Sequence, residues 1–302
     1  MYRGVITPTV TLFKDDGAVD LERNRRFQDF LIEHGVDGLF ILGTTGEFMH
    51  MNLREREQFA QATVEHVAGR LPVIVGAGST STAETIRLSR HAQGIGADAV
   101  AIITPYFWAL SEREVVGHLS AVAIAIDIPL FVYNYPAYSG HNISDETLAA
   151  LIREHPNIIG VIDAIDSLEH LRRRVHAVKS ISPDFRVLAG SDPHLLTILQ
   201  IGGDGTVPAT SNFAPDRHTA VFRAYTQGEY ARAIDLLPDL FACTDVYRVQ
   251  GSFHSVTKEA MTMIGVCQAN APRPPALPLT AEARARLRET LVRADLLPKT
   301  DE

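Results

Sequence analysis

At 302 residues, 46% of them hydrophobic, the chain is long enough for one large α/β barrel or two ordinary domains and too apolar to be disordered. Its formal net charge is −8, and its basic residues are scattered apart from Arg172-Arg173-Arg174, a run expected on a solvated helix face, so no footprint for nucleic acid is legible. Cys243 and Cys267 are too few for a disulfide framework and read as reduced cytosolic thiols, while "MYRGVITPTV" and the Asp127 and Pro129 breaks in "AVAIAIDIPLFVYNYP" leave neither an export signal nor a membrane span to expect.

Short apolar, β-branched runs then recur along the chain. In order they are "GVITPTVTLF" (4–13), "GLFILGTTG" (38–46), "PVIVGAG" (72–78), "AVAIITPYF" (99–107), "PLFVYNYP" (129–136), "IIGVID" (158–163), "FRVLAGS" (185–191) and "DGTVPA" (204–209). Each reads as a strand buried on both faces, spaced by roughly the length of one strand-helix unit. Helix starts between them are marked by Asn52-x-x-Glu55, Ser81-x-x-Glu84, Ser111-x-x-Glu114 and Asp166-x-x-Glu169, which fit a capping box broadened to Asn and Asp. Asp192 before Pro193 reads as an N-cap followed by a first-turn proline. Eight alternations predict a (β/α)8 TIM barrel over 1–223. From about residue 216 the strand signal stops. Segments 216–242, 243–268 and 280–296 look helical, with the Pro-rich "APRPPALP" (271–278) as a connector, which predicts a small helical C-terminal extension over 224–302.

In such a barrel the reactive groups belong at the C-terminal ends of the strands. The second run ends in "GTTGE" (43–47), a turn that can offer N–H groups and two hydroxyls to a carboxylate or can be a plain structural turn; it lacks the lysine of a phosphate loop. The fifth ends in "YNYP" (133–136), where Tyr133 is either a general acid/base or a buried structural tyrosine. The eighth leads through "GGDGTVPATSNFAP" (202–215), whose glycines permit close backbone approach to a ligand. His50, His194 and Asp192 lie near strand ends without metal-ligand spacing and read as satisfied loop residues, so no metal is expected.

Taken together, "GTTGE", "YNYP", "PNIIGVIDAIDS" and "GGDGTVPATSNFAP" resemble the dihydrodipicolinate synthase/N-acetylneuraminate lyase family, in order and spacing, from about residue 3 to 297. "IDSLEHLR" and "GGDG" are most similar to its 2-keto-3-deoxy sugar acid aldolase branch. The resemblance implies a cytoplasmic homotetramer, a dimer of dimers, acting as a lyase on small 2-oxo acids with no cofactor. It further implies that Thr44 and Thr45 hold the substrate carboxylate, that Tyr133 shuttles protons, and that a strand-6 lysine in "G-[V/I]-K-[D/E]" forms a Schiff base.

Here that segment is Gly160-Val161-Ile162-Asp163. By the resemblance Ile162 stands where the lysine belongs, and a hydrocarbon side chain has no nucleophile. The four lysines are Lys14, Lys179, Lys258 and Lys299, none at the C-terminal end of a predicted strand, so no displaced catalytic amine is expected. By the same resemblance, Phe107 stands where a neighbouring subunit commonly lends a tyrosine, Ala164 where a Thr or Ser stands beside the lysine, and Tyr138 where true dihydrodipicolinate synthases carry an arginine. Gly46, Gly190 and Val207 complete the expected lining. The three apolar replacements, at Ile162, Phe107 and Ala164, together favour natural divergence over a single inactivating substitution. The resulting expectation is a lyase-type enzyme for a small 2-oxo acid or related carboxylate that works without a Schiff base. A non-catalytic carboxylate-binding pseudoenzyme and a sugar acid aldolase with its lysine substituted are the alternatives.

Overall fold

The computed structural model describes residues 1–268 and 272–298. All eight expected runs form strands: β1 (Gly4–Pro8), β2 (Gly38–Ile41), β3 (Val73–Gly76), β4 (Ala99–Ile103), β5 (Leu130–Asn134), β6 (Ile158–Asp163), β7 (Arg186–Ala189) and β8 (Gly205–Thr206). Each pairs in parallel with the next, and β8 returns to β1 through Gly4–Gly205 and Val5–Thr206, closing a (β/α)8 barrel. The strands are almost wholly buried, because side chains pointing inward fill the barrel and those pointing outward meet the helices.

The helix starts follow local chemistry. Asn52 and Glu55 exchange both bonds of a capping box, as do Ser111 and Glu114. Ser81 caps its helix, but the Glu84 carboxylate instead accepts the Ser79 hydroxyl at 2.7 Å. Two expectations are corrected. Ser167, not Asp166, caps the helix Leu168–Lys179, which frees the Asp166 carboxylate to meet His194 Nε2 at 2.6 Å. Asp192 does not cap the turn that it opens, because its carboxylate is drawn away to Thr210 and Tyr247.

One recurring device closes the N-terminal face. Gly-x-Asp precedes β2, β4 and β8 as Gly35-Val36-Asp37, Gly96-Ala97-Asp98 and Gly202-Gly203-Asp204. Each glycine has a positive φ, between 72° and 92°, ending the preceding helix in the left-handed region that glycine tolerates. Each aspartate then accepts the amide of the preceding strand's first or second residue, Val5 at 2.8 Å, Val73 at 2.8 Å and Val187 at 3.0 Å. These bonds satisfy amides that the short strands leave unpaired.

The expected 216–242 helix is three helices, Pro215–Thr226, Tyr230–Asp235 and Leu237–Thr244. Gly228 at φ 81° breaks the first, and Pro238 in the first turn of the third cannot continue its predecessor's hydrogen bonding. Segment 243–268 likewise divides into a single turn, Asp245–Arg248, and the helix Phe253–Ile264, separated by a bend at Gly251. The last helix is Ala281–Arg293, capped by Thr280. No helix among the described residues is long and apolar enough to cross a membrane.

Candidate active site

A cavity of about 430 Å³ opens at the C-terminal end of the barrel. Thr44 and Thr45 reach it from the turn after β2, Tyr133 from β5 and Tyr138 from just beyond it. Ile162 and Ala164 line it from β6, Gly190 from the end of β7 and Val207 from the end of β8. Gly46 and Phe107 do not. Gly46 sits inside the turn, its carbonyl accepting the Thr11 hydroxyl at 2.6 Å, while Phe107 stands wholly exposed with φ 80°.

The β2 turn is fixed from below. Its internal bonds run from the Gly46 and Glu47 amides to the Gly43 and Thr44 carbonyls, so they consume neither the Thr44 nor the Thr45 amide. Glu47, fully buried, forms an ion pair with the buried Lys258 and accepts the Arg273 amide at 3.0 Å. His254 Nε2 lies 2.9 Å from the Thr44 carbonyl oxygen. A buried carboxylate and ammonium that satisfy each other make a rigid base for the turn, because separating them strands a charge. Burial pushes the Lys258 pKa down, and Glu47 opposes that shift.

Tyr133 lies 3.2 Å from the Thr44 hydroxyl, and its ring packs edge-on against Phe40. Burial raises the Tyr133 pKa well above that of a free phenol, the Thr44 hydrogen bond opposing the shift. Next to it in the sheet, in register, stands Ile162. Ile162 is fully buried and faces the cavity, whereas Asp163 turns outward. There Asp163 meets His170 Nε2 at 2.8 Å, accepts Asn134 Nδ2 at 3.2 Å and lies 3.1 Å from Arg174 Nε. The outer side of β6 thus carries a satisfied charge network while its inner side is hydrocarbon. Ala164 is pressed against Gly190, where an added Cβ would come within 2.9 Å of Ala164 Cβ. Side chains larger than these two have no room at that contact.

Lys14 and Lys179 do not line the cavity, Lys258 is held by Glu47, and Lys299 lies outside the described residues. Among the described residues no group of three or more His, Cys, Asp or Glu is arranged to hold a metal ion. His50 pairs with Glu47 at 3.2 Å, as a satisfied loop histidine does.

Sequence reasoning missed several lining residues. Tyr135 follows Tyr133 on the same face of the extended chain, an alternation visible in "YNYP"; its ring lies 5.8 Å from Tyr133 and 4.5 Å from Tyr138. Asp166 was legible only as a helix cap, and Asp192 as a cap or a satisfied loop residue near a strand end, yet both line the cavity. Tyr247, Val249, Phe253 and Val256 come from the helical extension, where nothing in the sequence ties them to a strand end.

The chain matches known proteins along almost its whole length. It is 38% identical over 297 residues, 98% of this chain and 99% of the relative, to the "Probable 2-dehydro-3-deoxy-D-pentonate aldolase YjhH" of Escherichia coli K12. The crystal structure of YagE from Escherichia coli K12, a prophage protein solved in complex with pyruvate, superposes with a TM-score of 0.96 at 38% identity, covering 98% of this chain and all of that one. Dihydrodipicolinate synthase from Aquifex aeolicus gives 0.92 at 29% identity, covering 99% of this chain and all of that one. The model of the dihydrodipicolinate synthetase family spans residues 1–294, and the chain belongs to that family.

Proposed function

We propose that the protein is a lyase-type enzyme that holds the carboxylate of a small 2-oxo acid on the Thr44–Thr45 turn and moves one proton through Tyr133, without an imine. The observation that carries this reading is the pairing of Tyr133 with Ile162 across β5 and β6: a phenol hydrogen-bonded to Thr44 beside a side chain that cannot attack a carbonyl. The raised pKa keeps Tyr133 protonated at neutral pH, so its first act is donation toward an oxygen on which charge develops. Without an iminium sink the enolate itself must be stabilised, which suits enolisation or dehydration better than carbon–carbon cleavage.

The apolar Phe107 and Ala164 favour a second reading, a carboxylate-binding protein without turnover. The exposed Phe107 and Trp108 support assembly into the family's homotetramer, and the two free cysteines fit the cytoplasm.

The test is solvent-deuterium exchange at C3 of 2-oxo acids, followed by NMR, together with pyruvate release from 2-dehydro-3-deoxy-D-gluconate. The protein is expected to catalyse exchange, and Tyr133→Phe to lose about a hundredfold or more of that rate while binding persists. Binding without exchange across a broad panel would favour the non-catalytic reading. Pyruvate release by Ile162→Lys alone would identify an aldolase pocket that lacks its nucleophile.

A further inference from the structure

The Thr44–Thr45 peptide is bonded differently on its two sides. Its carbonyl oxygen, on Thr44, accepts the Glu47 amide at 3.1 Å and lies 2.9 Å from His254 Nε2. A carbonyl only accepts, so Nε2 carries a hydrogen and both oxygen lone pairs are engaged. Its N–H, on Thr45, is left by the turn's internal bonds for whatever enters the cavity that Thr45 lines. Donors on the oxygen of a peptide draw electron density toward it and make its N–H a stronger donor, as hydrogen bonds in series polarise one another. No Lys, Arg or His among the described residues lines the cavity. An anionic ligand head therefore meets only neutral donors, and the strength of each amide counts.

His254 differs from the two histidines buried deepest against neutral groups. His118 meets the Thr82 hydroxyl at 2.9 Å. His218 Nε2 donates to the Thr210 hydroxyl oxygen at 2.7 Å, because that hydroxyl's one hydrogen goes to Asp192. His254 stands in the first turn of the helix Phe253–Ile264, whose first residue lines the cavity while His254 itself does not. Its ring thus reaches the turn from outside, through a backbone carbonyl. The titratable and charged groups that bear on the ring are Glu47, which favours its protonation, and His50 and Lys258, which oppose it; Arg273 stands beyond Glu47, whose carboxylate accepts its amide. Burial holds the His254 pKa below its ordinary value, and the Thr44 bond opposes the shift. The ring is neutral near pH 7 and still able to gain a charge.

A carboxylate on the Thr45 amide changes that balance. From His254 Nε2 across the peptide to the carboxylate oxygen is under about 8 Å, two hydrogen bonds and one peptide width. At that range in a partly buried site the negative charge favours the imidazolium, and the imidazolium in turn strengthens the amide. We infer that His254 is a positioning residue that polarises the Thr44–Thr45 peptide and takes up a proton from solvent as the ligand's carboxylate binds. The inference rests on the reading that this turn holds the carboxylate of a 2-oxo acid, and it adds regulation by pH to that site. The liganded ring titrates higher than the free one, so affinity is constant at high pH and rises as pH falls through the interval between them.

The experiment is calorimetric titration with pyruvate of the intact protein, His254→Gln and His254→Phe, at pH 6.5 in buffers of low and high ionisation enthalpy, and then at pH 7.5 and pH 6. Glutamine can place a hydrogen where Nε2 has one and cannot titrate; phenylalanine keeps a ring and removes the donor. In the intact protein the observed enthalpy is expected to change with the buffer, reporting uptake of part of a proton, and affinity to be about threefold higher at pH 6 than at pH 7.5. His254→Gln should keep the affinity at pH 7.5 within about twofold and lose both signatures. His254→Phe should also lose them and bind about fivefold more weakly at pH 7.5. A buffer signature that persists in His254→Gln, or full affinity in His254→Phe, overturns the assignment, and the glutamine variant decides alone where the phenylalanine variant does not fold. If the intact protein binds pyruvate with an enthalpy independent of buffer, the 2-oxo acid reading stands and the coupling falls. If it does not bind pyruvate, that reading fails and this inference falls with it.

Discussion

The two faces of the barrel treat buried carboxylates in opposite ways. At the N-terminal face Asp204 is ringed by cations, Arg186 at 2.8 Å, Lys179 at 2.9 Å and Arg3 at 3.5 Å, and it also accepts the Val187 amide. At the C-terminal face Asp192 is surrounded by neutral donors from Thr210 and Tyr247, and no cation among the described residues lines its cavity. An aspartate neutralised by cations is spent on holding strand ends together. One held only by hydroxyls and an amide keeps its negative charge available to whatever enters. The contrast separates stability from chemistry along the barrel axis.

The largest expected effect tests the lower face. Asp204→Ala leaves three cations around an empty site and should cost on the order of 3–5 kcal/mol in urea unfolding, with ligand binding unchanged in the protein that remains folded. An unaltered unfolding midpoint would break the comparison, because the ion cluster would then not be holding the face together.

Acidification comes next. His118 and His218 are both held down at about 4 by burial, against an ordinary value of 6.5. The unfolded chain therefore binds more protons than the folded one between these values. The stability that the two residues contribute is complete above about pH 6.5 and is lost as pH falls toward 4. At pH 5 the loss should be roughly 2 kcal/mol for each. Urea midpoints at pH 7.5 and pH 5, for the protein and for His218→Gln, measure it. The glutamine variant keeps a donor for Thr210 and should flatten the acid slope; an unchanged slope would mean that His218 is not buried neutral beneath Asp192.

The smallest expected effect concerns the upper face alone. Thr44→Val removes the hydroxyl beside Tyr133 while keeping the shape, and should slow proton exchange by about tenfold or less, with Tm shifted little. A loss as deep as that of Tyr133→Phe would instead place Thr44 at the reacting atom.

Much of this was legible before the fold was known. Each of the eight strands announces itself by a short β-branched run, because a strand buried on both faces needs an unbroken apolar sequence. The Asn52 and Ser111 caps could be read directly, since a capping box is satisfied within four consecutive residues. Asp192 shows where that local logic fails. Its place before a proline is the pattern of a cap, but Thr210 and Tyr247, 18 and 55 residues away, offered its carboxylate better bonds than its own turn did.

The sequence by itself determined the barrel, the polar turn after β2, the tyrosine near the end of β5 and the absence of a lysine at position 162, because each is written in a few contiguous residues. Only the tertiary structure decided that Ile162 stands beside Tyr133, that Phe107 stays outside the cavity, and that Tyr247 enters it from the helical extension. Those facts depend on strand register and on hydrogen bonds between distant segments. Such bonds are chosen by competition among every buried donor and acceptor in the folded chain, which no local stretch of sequence records.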